Sequence, residues 1–341
     1  MMDGMGWYEA VGRPLMLALP PETSHRLAQA ALSLPLPWRR IGGAPDDPSL
    51  AVDLAGLRLR NPIGLAAGFD KTCRHLDALA GLGFGYVVGG TITRNPRTGN
   101  PKPRIARSRS TASLTNAMGL PNPGAEAAAR ALARARRVAP IVVSVADEDV
   151  GDATTTLELV ATHADAVELN ASCPNVSWGR DRDNESHLRE LVGVFRERTE
   201  QPLFVKLPPF TSDTEREVVL ALAGIATEAG ADGLVCANTR PVADQRLSVG
   251  TGGLSGKALW ERTPRIVETV RRATGRPIVA CGGISTPADV ATALEAGASA
   301  VQVYTAFVYE GPHLPGRLLR DLGHGVVRAG GDVAPARNPI S

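Results

Sequence analysis

Cysteine is scarce in this 341-residue chain. Its four residues, at positions 73, 173, 236 and 281, form no close pair and no CxxC. That excludes a disulfide scaffold and a zinc knuckle, and it fits a reducing compartment. The six histidines (25, 75, 163, 187, 313 and 324) are scattered and join no cluster with metal-ligand spacing, which disfavours a metal hydrolase. Excess charge is missing too. With 37 Lys and Arg against 35 Asp and Glu, the net charge is +2, so no global field would recruit nucleic acid or an acidic partner. No apolar run approaches the roughly 18 residues that span a bilayer. A secretory leader is not expected, because Asp3 and Glu9 sit where a basic n-region belongs and Pro14 and Pro20 bracket the only apolar patch. What remains is a chain 43% apolar and 21% charged, able to bury a sizeable core.

Residues 7–34 read as two short helices, and 35–48 as a Pro/Gly-rich linker. A long α/β region follows from about 52 to 323, and the tail 324–341 is expected to fray. The domain boundaries expected are therefore 1–48, 49–323 and 324–341. Strand candidates are 63–66, 85–89, 141–145, 166–169, 203–207, 233–237, 277–281 and 300–304. Helical stretches alternate with them at 72–81, 123–137, 153–163, 185–199, 213–229, 257–274, 287–296 and 314–322. Runs that stay apolar throughout suit parallel strands covered on both faces. Eight βα units in order predict a closed (β/α)8 TIM barrel with an N-terminal two-helix extension. The alternative is a doubly wound open sheet, which usually has fewer strands and a Gly-rich turn after the first.

In such a barrel the chemistry gathers at the C-terminal ends of the strands. The polar residues there are Lys71, Thr91, Ser144, Asn170, Cys173, Asn175, Lys206, Asn238, Gly282, Gly283, Tyr304 and Thr305. The segment 92–122 is long, rich in Arg, Asn, Gly and Pro, and expected to fold over the barrel mouth. Gly282-Gly283 ahead of a helix at Pro287 suits a phosphate, with a plain glycine turn as the alternative. The cluster from Gly250 to Lys257 fails as a Walker A loop, since Thr251 stands where Gly is needed and Ala258 follows Lys257. It still offers backbone donors, Gly256 among them, to the same phosphate. Gly81-Leu82-Gly83-Phe84-Gly85 precedes a strand and so fails the dinucleotide fingerprint.

Lys71 and Lys206 at strand ends would be costly to bury unless an anion or a polarised ring met them. A flavin ring, which gains negative charge at N1–C2=O on reduction, is such a partner. The alternative for each is a surface lysine. Cys173 could serve as a general base, although a lone cysteine is more often inert. Asn116, Asn170, Asn175 and Asn238 together could present donors and acceptors to a planar imide, whereas each alone could be turn chemistry.

The motifs in order carry a family likeness. They include the run Asn61 to Lys71, Gly90-Thr91-Ile92-Thr93, Gly99 to Arg104, Asn116-Ala117-Met118-Gly119 and Asn170 to Asn175. Val205-Lys206-Leu207, Thr251 to Gly256, Gly282-Gly283-Ile284 and Gly297 to Pro312 continue the series. Over roughly 7–320 the chain resembles dihydroorotate dehydrogenases, FMN barrels that oxidise dihydroorotate to orotate in pyrimidine synthesis. The resemblance implies that Ala67, Gly68, Lys71, Thr91, Asn170 and Lys206 hold FMN, joined by Gly256, Gly283, Tyr304 and Thr305. It implies that Lys71, Asn116, Met118, Gly119, Asn170, Asn175, Asn238 and Thr239 face the substrate. Cys173 falls at the base position and would take the C5 proton.

The N-terminal stretch resembles the extension of the membrane-associated, quinone-reducing class. Trp7, Tyr8, Val11, Leu15 and Leu19 fit an amphipathic first helix, and Leu27, Ala28, Ala31 and Leu32 share a face of the second. Such a hairpin would lie on the inner face of the cell membrane, with the barrel in the cytoplasm, and lead a quinone to the flavin. On pattern alone it could equally cap the barrel. Several residues depart from the family pattern. Cys173 replaces the serine usual in the quinone class, and Ser144 stands where a flavin-contacting Asn is expected. Ala237 replaces a Thr, Arg240 a small residue, and the loop 176–181 is bulkier than usual. A related barrel acting on another dihydropyrimidine-like or enone substrate, or an FMN-binding protein without turnover, are the competing readings.

Overall fold

The computed structural model describes residues 8–146, 149–171 and 184–329. Eight strands close on themselves in chain order. They are β1 (Ile63–Asp70), β2 (Tyr86–Ile92), β3 (Ile141–Val145), β4 (Ala166–Leu169), β5 (Leu203–Leu207), β6 (Gly233–Cys236), β7 (Ile278–Cys281) and β8 (Ala300–Val303). Every neighbour is parallel, and β8 returns to β1 with Val301 opposite Ile63. Helices stand between successive strands. The fold is the predicted (β/α)8 barrel, and the open-sheet alternative falls.

Alternation along the strands explains the closure. Side chains at successive positions point to opposite faces. Val87, Val143, Val167, Val205 and Val301 join the helices in one large core. Tyr86, Val142, Ala166, Phe204, Val235, Val279 and Ala300 form a second cluster inside the cylinder. A hairpin of Val52–Leu54 and Leu57–Leu59 adds Leu54 and Leu59 to that inner cluster and plugs the N-terminal end. Tyr86 lies across β1, where a Cβ on Gly64 would come 2.2 Å from its Cζ, and its hydroxyl donates to the Val301 carbonyl at 3.2 Å. Two residues further along their strands the inward positions turn polar, at Ser144, Glu168, Lys206 and Gln302, all buried. That change of character marks the floor of the site.

The mouth is covered by a sheet the sequence reading did not anticipate. Ile105–Ser108 pairs with Ser113–Asn116, both from the long 92–122 segment; Ser113–Asn116 pairs with Thr251–Gly256, which pairs with Arg240–Ala243, all antiparallel. The Gly-rich cluster expected as a phosphate-binding loop is thus mostly a strand, with Gly253 opposite Asn116. A short 3-10 helix at Lys257–Arg262 then precedes the helix Thr263–Thr274, dividing the single helix expected at 257–274. The helix expected at 72–81 starts only at Leu76, because the Asp70 carboxylate accepts from the Thr72 amide (3.1 Å), the Thr72 hydroxyl (2.9 Å) and the His75 amide (2.6 Å), holding 72–75 as a turn. The final helix, Leu314–Ala329, passes the boundary expected at 323.

The N-terminal extension contains the two expected helices, Arg13–Ala18 and Pro21–Leu32, after a π-helical turn at Tyr8–Gly12. A further helix, Trp38–Gly42, occupies the supposed linker. The Ser24 hydroxyl ties the two main helices by donating to the Met16 carbonyl at 2.6 Å. Helix C-termini leave carbonyls without partners. Here Arg107, from the mouth sheet, donates to the carbonyls of Met16, Leu17 and Leu19 at 3.2, 3.2 and 3.0 Å. Among the described residues no helix is long and apolar enough to cross a membrane.

Candidate active site

The C-terminal ends of the strands and the mouth sheet enclose a cavity of about 500 Å³. Its walls include Ala67, Gly68, Lys71, Thr91, Asn116, Met118, Asn170 and Lys206. Asn238, Thr239, Gly256, Gly282, Gly283, Tyr304 and Thr305 complete the set of expected residues found there. Most of the polar positions predicted from strand ends therefore converge on one space.

A chain of polar side chains runs around one side. Asn238 donates through Nδ2 to Asn170 Oδ1 at 3.4 Å, Asn170 donates to Thr91 Oγ1 at 3.1 Å, and Thr91 shares a 3.0 Å hydrogen bond with Ser144. Ser144 is completely buried, is not among the cavity walls, and supports Thr91 from behind. Gly119 is also outside the walls, and a Cβ there would come 2.7 Å from the Asn100 amide nitrogen. Its glycine reflects the packing of the 92–122 segment. Cys173, Asn175, Trp7 and the loop 176–181 lie outside the described residues.

Two lysines supply positive charge. Lys71 donates to the Gly68 carbonyl, which also accepts from the Tyr304 hydroxyl at 3.3 Å. Burial pulls the Lys71 ammonium down from its ordinary range to about 8, with Asp70 opposing the shift. Burial likewise pushes the Tyr304 phenol up to about 12. Lys206 is buried at the floor and donates to Gln302 Oε1 at 3.1 Å. Neither lysine is the surface residue of the alternative reading. An anionic planar ring above them would recover the cost of their burial.

The far end of the cavity has the chemistry of a phosphate site, with the expected glycines in its wall but without free amides at the start of the following helix. The amides of Ser285 and Thr286 both donate to Asp289 Oδ2 at 2.8 Å, in a capping box that opens the helix Pro287–Glu295. That helix end is satisfied by its own carboxylate. The remaining candidates are the Gly282-Gly283 backbone and the Tyr304-Thr305 turn, where the Thr305 hydroxyl lies 2.9 Å from Ser255 Oγ. Gly283 has φ +76, and a Cβ on it would come 2.5 Å from the Trp260 amide nitrogen, so only glycine fits. Arg317 lines this end and is held by Glu310 at 2.8 Å and by the Ser285 carbonyl at 2.7 Å. With the buried Lys206 and partly buried Lys71 ammonium groups at one end and a glycine cradle at the other, the residues fit FMN.

A second chamber of about 1310 Å³ lies between the N-terminal helices and the barrel. It shares Lys71, Ile105, Leu114, Met118, Pro121 and Tyr304 with the first cavity. Leu15, Leu27 and Leu36 line it while remaining 59%, 49% and 41% exposed, so they form its outer rim. Its polar residues include Glu22, bound to Arg104 (3.0 Å) and Lys102 (3.1 Å), and His25. Burial, reinforced by Lys71, lowers the His25 imidazole to about 3, so the ring is neutral. Its Nε2 is buried without a hydrogen-bond partner, and the ring meets Phe69 edge-on at 5.2 Å. Sequence reasoning missed His25, since one histidine on a helix gives no signal without the cavity beside it. Gln302 and Arg317 were missed as well, having been read as strand core and terminal helix.

Residues 49–326 match the sequence model of the family described as Dihydroorotate dehydrogenase. The chain is similar to the "Dihydroorotate dehydrogenase (quinone)" of Erythrobacter litoralis, 40% identical over 325 residues that cover 91% of this chain and 93% of that protein. It is 37% identical to the protein of the same name from Kineococcus radiotolerans, over 94% of this chain and 96% of that one. Among solved structures, DHODH from Eimeria tenella in complex with ferulenol is similar with a TM-score of 0.80 and 30% identity, covering 91% of this chain and 92% of that one. Its ligand-free form gives a TM-score of 0.80 and 31% identity, covering 91% and 96%.

Proposed function

The chain belongs to the dihydroorotate dehydrogenase family, whose members are flavin-dependent oxidoreductases, and on that premise we propose that it oxidises dihydroorotate to orotate and passes the electrons to a quinone. The observation that carries this reading is the pair of adjoining chambers. The first holds the Lys206 ammonium and the amides of Asn116, Asn170 and Asn238, the second exposes mostly apolar surface, and Lys71, Met118 and Tyr304 belong to the wall between them. A polar dihydro-heterocycle and a greasy quinone could then use one cofactor from two sides.

FMN, when bound, supplies a reversible two-electron carrier between the two chambers. Lys206 and Thr91 would hold its ring, with Ala67, Gly68 and Asn170 beside them, and Gly256, Gly282, Gly283 and Thr305 would hold its phosphate end. Asn116, Asn170 and Asn238 offer amides that match the donors and acceptors of a cyclic imide. Lys71, partly buried with its pKa near 8, is mostly protonated at neutral pH and suited to a substrate carboxylate. Cys173, at the base position by family resemblance, would take the proton from substrate C5.

The exposed Val11, Leu15, Leu27, Leu34 and Leu36 give the extension an apolar outer surface. This supports seating it on the inner face of the cell membrane, where a quinone would enter past the leucine rim and meet neutral His25. The test is direct. Cys173→Ala should keep its flavin and lose at least a hundredfold in the rate at which dihydroorotate reduces it, while Cys173→Ser keeps part of the rate with its pH profile moved alkaline. Equal rates in wild type and Cys173→Ala would remove Cys173 as the base.

A further inference from the structure

One buried charge inside the barrel has no part in the steps above. Glu168 stands on β4 two residues along from Ala166 and is fully buried. A carboxylate there is costly unless it is paired and hydrogen-bonded. Its partners reach across the cylinder. Gln302 on β8 donates through Nε2 to Glu168 Oε2 at 2.9 Å. The Lys206 ammonium, on β5, lies 3.7 Å from Glu168 Oε1, too far for a hydrogen bond, and that oxygen has no hydrogen-bond partner. The same Gln302 amide accepts from Lys206 through Oε1. One amide therefore bridges a cation and an anion, and the two charges fix which way it faces. Lys206 and Gln302 line the cavity, whereas Glu168 sits one layer beneath it.

We propose that Glu168 is a positioning residue for Lys206 and the counter-charge that sets how strongly the bound flavin holds its electrons. This rests on the reading that the cavity holds FMN with Lys206 at the edge of its ring. A reduced flavin gains negative charge at N1–C2=O, so a lone ammonium there favours the reduced form. A carboxylate just behind the ammonium opposes that preference, because Coulomb energy falls only with the first power of distance and the interior screens weakly. The opposition matters to an enzyme that must also release its electrons to a quinone. A pair that merely filled the barrel would leave the electron affinity of the cofactor alone.

The experiment is a reductive titration of the holoenzyme against a dye of known potential. E168Q should shift the two-electron equilibrium at least tenfold towards reduced flavin, about 30 mV more positive, and slow reoxidation by quinone. E168D, which keeps the charge, should return to within threefold of wild type. Because E168Q leaves one charge of the pair buried alone, E168Q/K206M is compared with K206M as a second measurement; removing both charges of a buried pair is well tolerated. The double variant should hold reduced flavin more tightly than K206M. An unchanged equilibrium in E168Q, or a double variant indistinguishable from K206M, overturns the inference. Wild-type protein that neither carries nor takes up FMN overturns the proposed function as well, so the two failures are told apart.

Discussion

His25 gives the extension a pH signature that can be worked out in advance. In the native protein the imidazole is held near 3 by burial and by the Lys71 charge, whereas an unfolded chain has it near its ordinary 6.5. Between those values the unfolded chain binds the extra proton, so stability rises with pH across the window and is lost as pH falls through it. From pH 7.5 to pH 5.0 the loss due to this one group is about 2 kcal/mol. His25→Gln keeps a polar side chain of similar size and cannot take the proton. Urea unfolding of the holoprotein with saturating FMN, at both pH values, should give wild type a fall about 2 kcal/mol larger than that of the variant. Falls that agree within about 0.5 kcal/mol would mean that the ring is not desolvated in the native chamber, and the apolar character assigned to that chamber would go with it.

Other consequences are equally concrete. Gly64→Ala puts a methyl 2.2 Å from Tyr86 Cζ and should cost about 1–3 kcal/mol by overpacking, seen as a lower urea midpoint; an unchanged midpoint contradicts the packing of Tyr86 across β1. Changing Leu15, Leu27 and Leu36 to Ser together removes three apolar anchors, each worth roughly 1.5 kcal/mol when buried. Sedimentation with anionic phospholipid vesicles should weaken at least a hundredfold, while flavin reduction by dihydroorotate stays within twofold of wild type. Unaltered vesicle binding would make the hairpin a cap on the barrel and nothing more.

The barrel was legible because its signals are local. Runs such as Ile141–Val145 and Leu203–Leu207 are β-branched or apolar and flanked by helical stretches, and their order alone fixed the topology. Lys71, Thr91, Asn170, Lys206 and Asn238 were legible once strand ends were known, since polar side chains at those places have one direction to face. The mouth sheet was not. Its strands are short and rich in Gly, Ser and Arg, and Ser113–Asn116 finds its partner Thr251–Gly256 across well over a hundred residues, so no local pattern marks either. The same long-range pairing turned an apparent phosphate loop into a strand. Glu168 was hidden differently. Inside the run Ala166–Leu169 it reads as one charge in an apolar strand, and only the period-two alternation, with Ala166 inward, places it under the site. Ser144 has the strand position of a site residue, but that its hydroxyl meets Thr91 could not be read from the strand alone.

The central claim is that one flavin serves a polar chamber on one side and an apolar chamber on the other. Anaerobic stopped-flow mixing tests it most directly, with absorbance followed at the visible flavin maximum. Dihydroorotate should bleach the protein in a single turnover, and a second mix with a short-chain ubiquinone should restore the colour, the second step alone slowing when the N-terminal extension is removed. A yellow protein that dihydroorotate leaves unbleached would contradict the account.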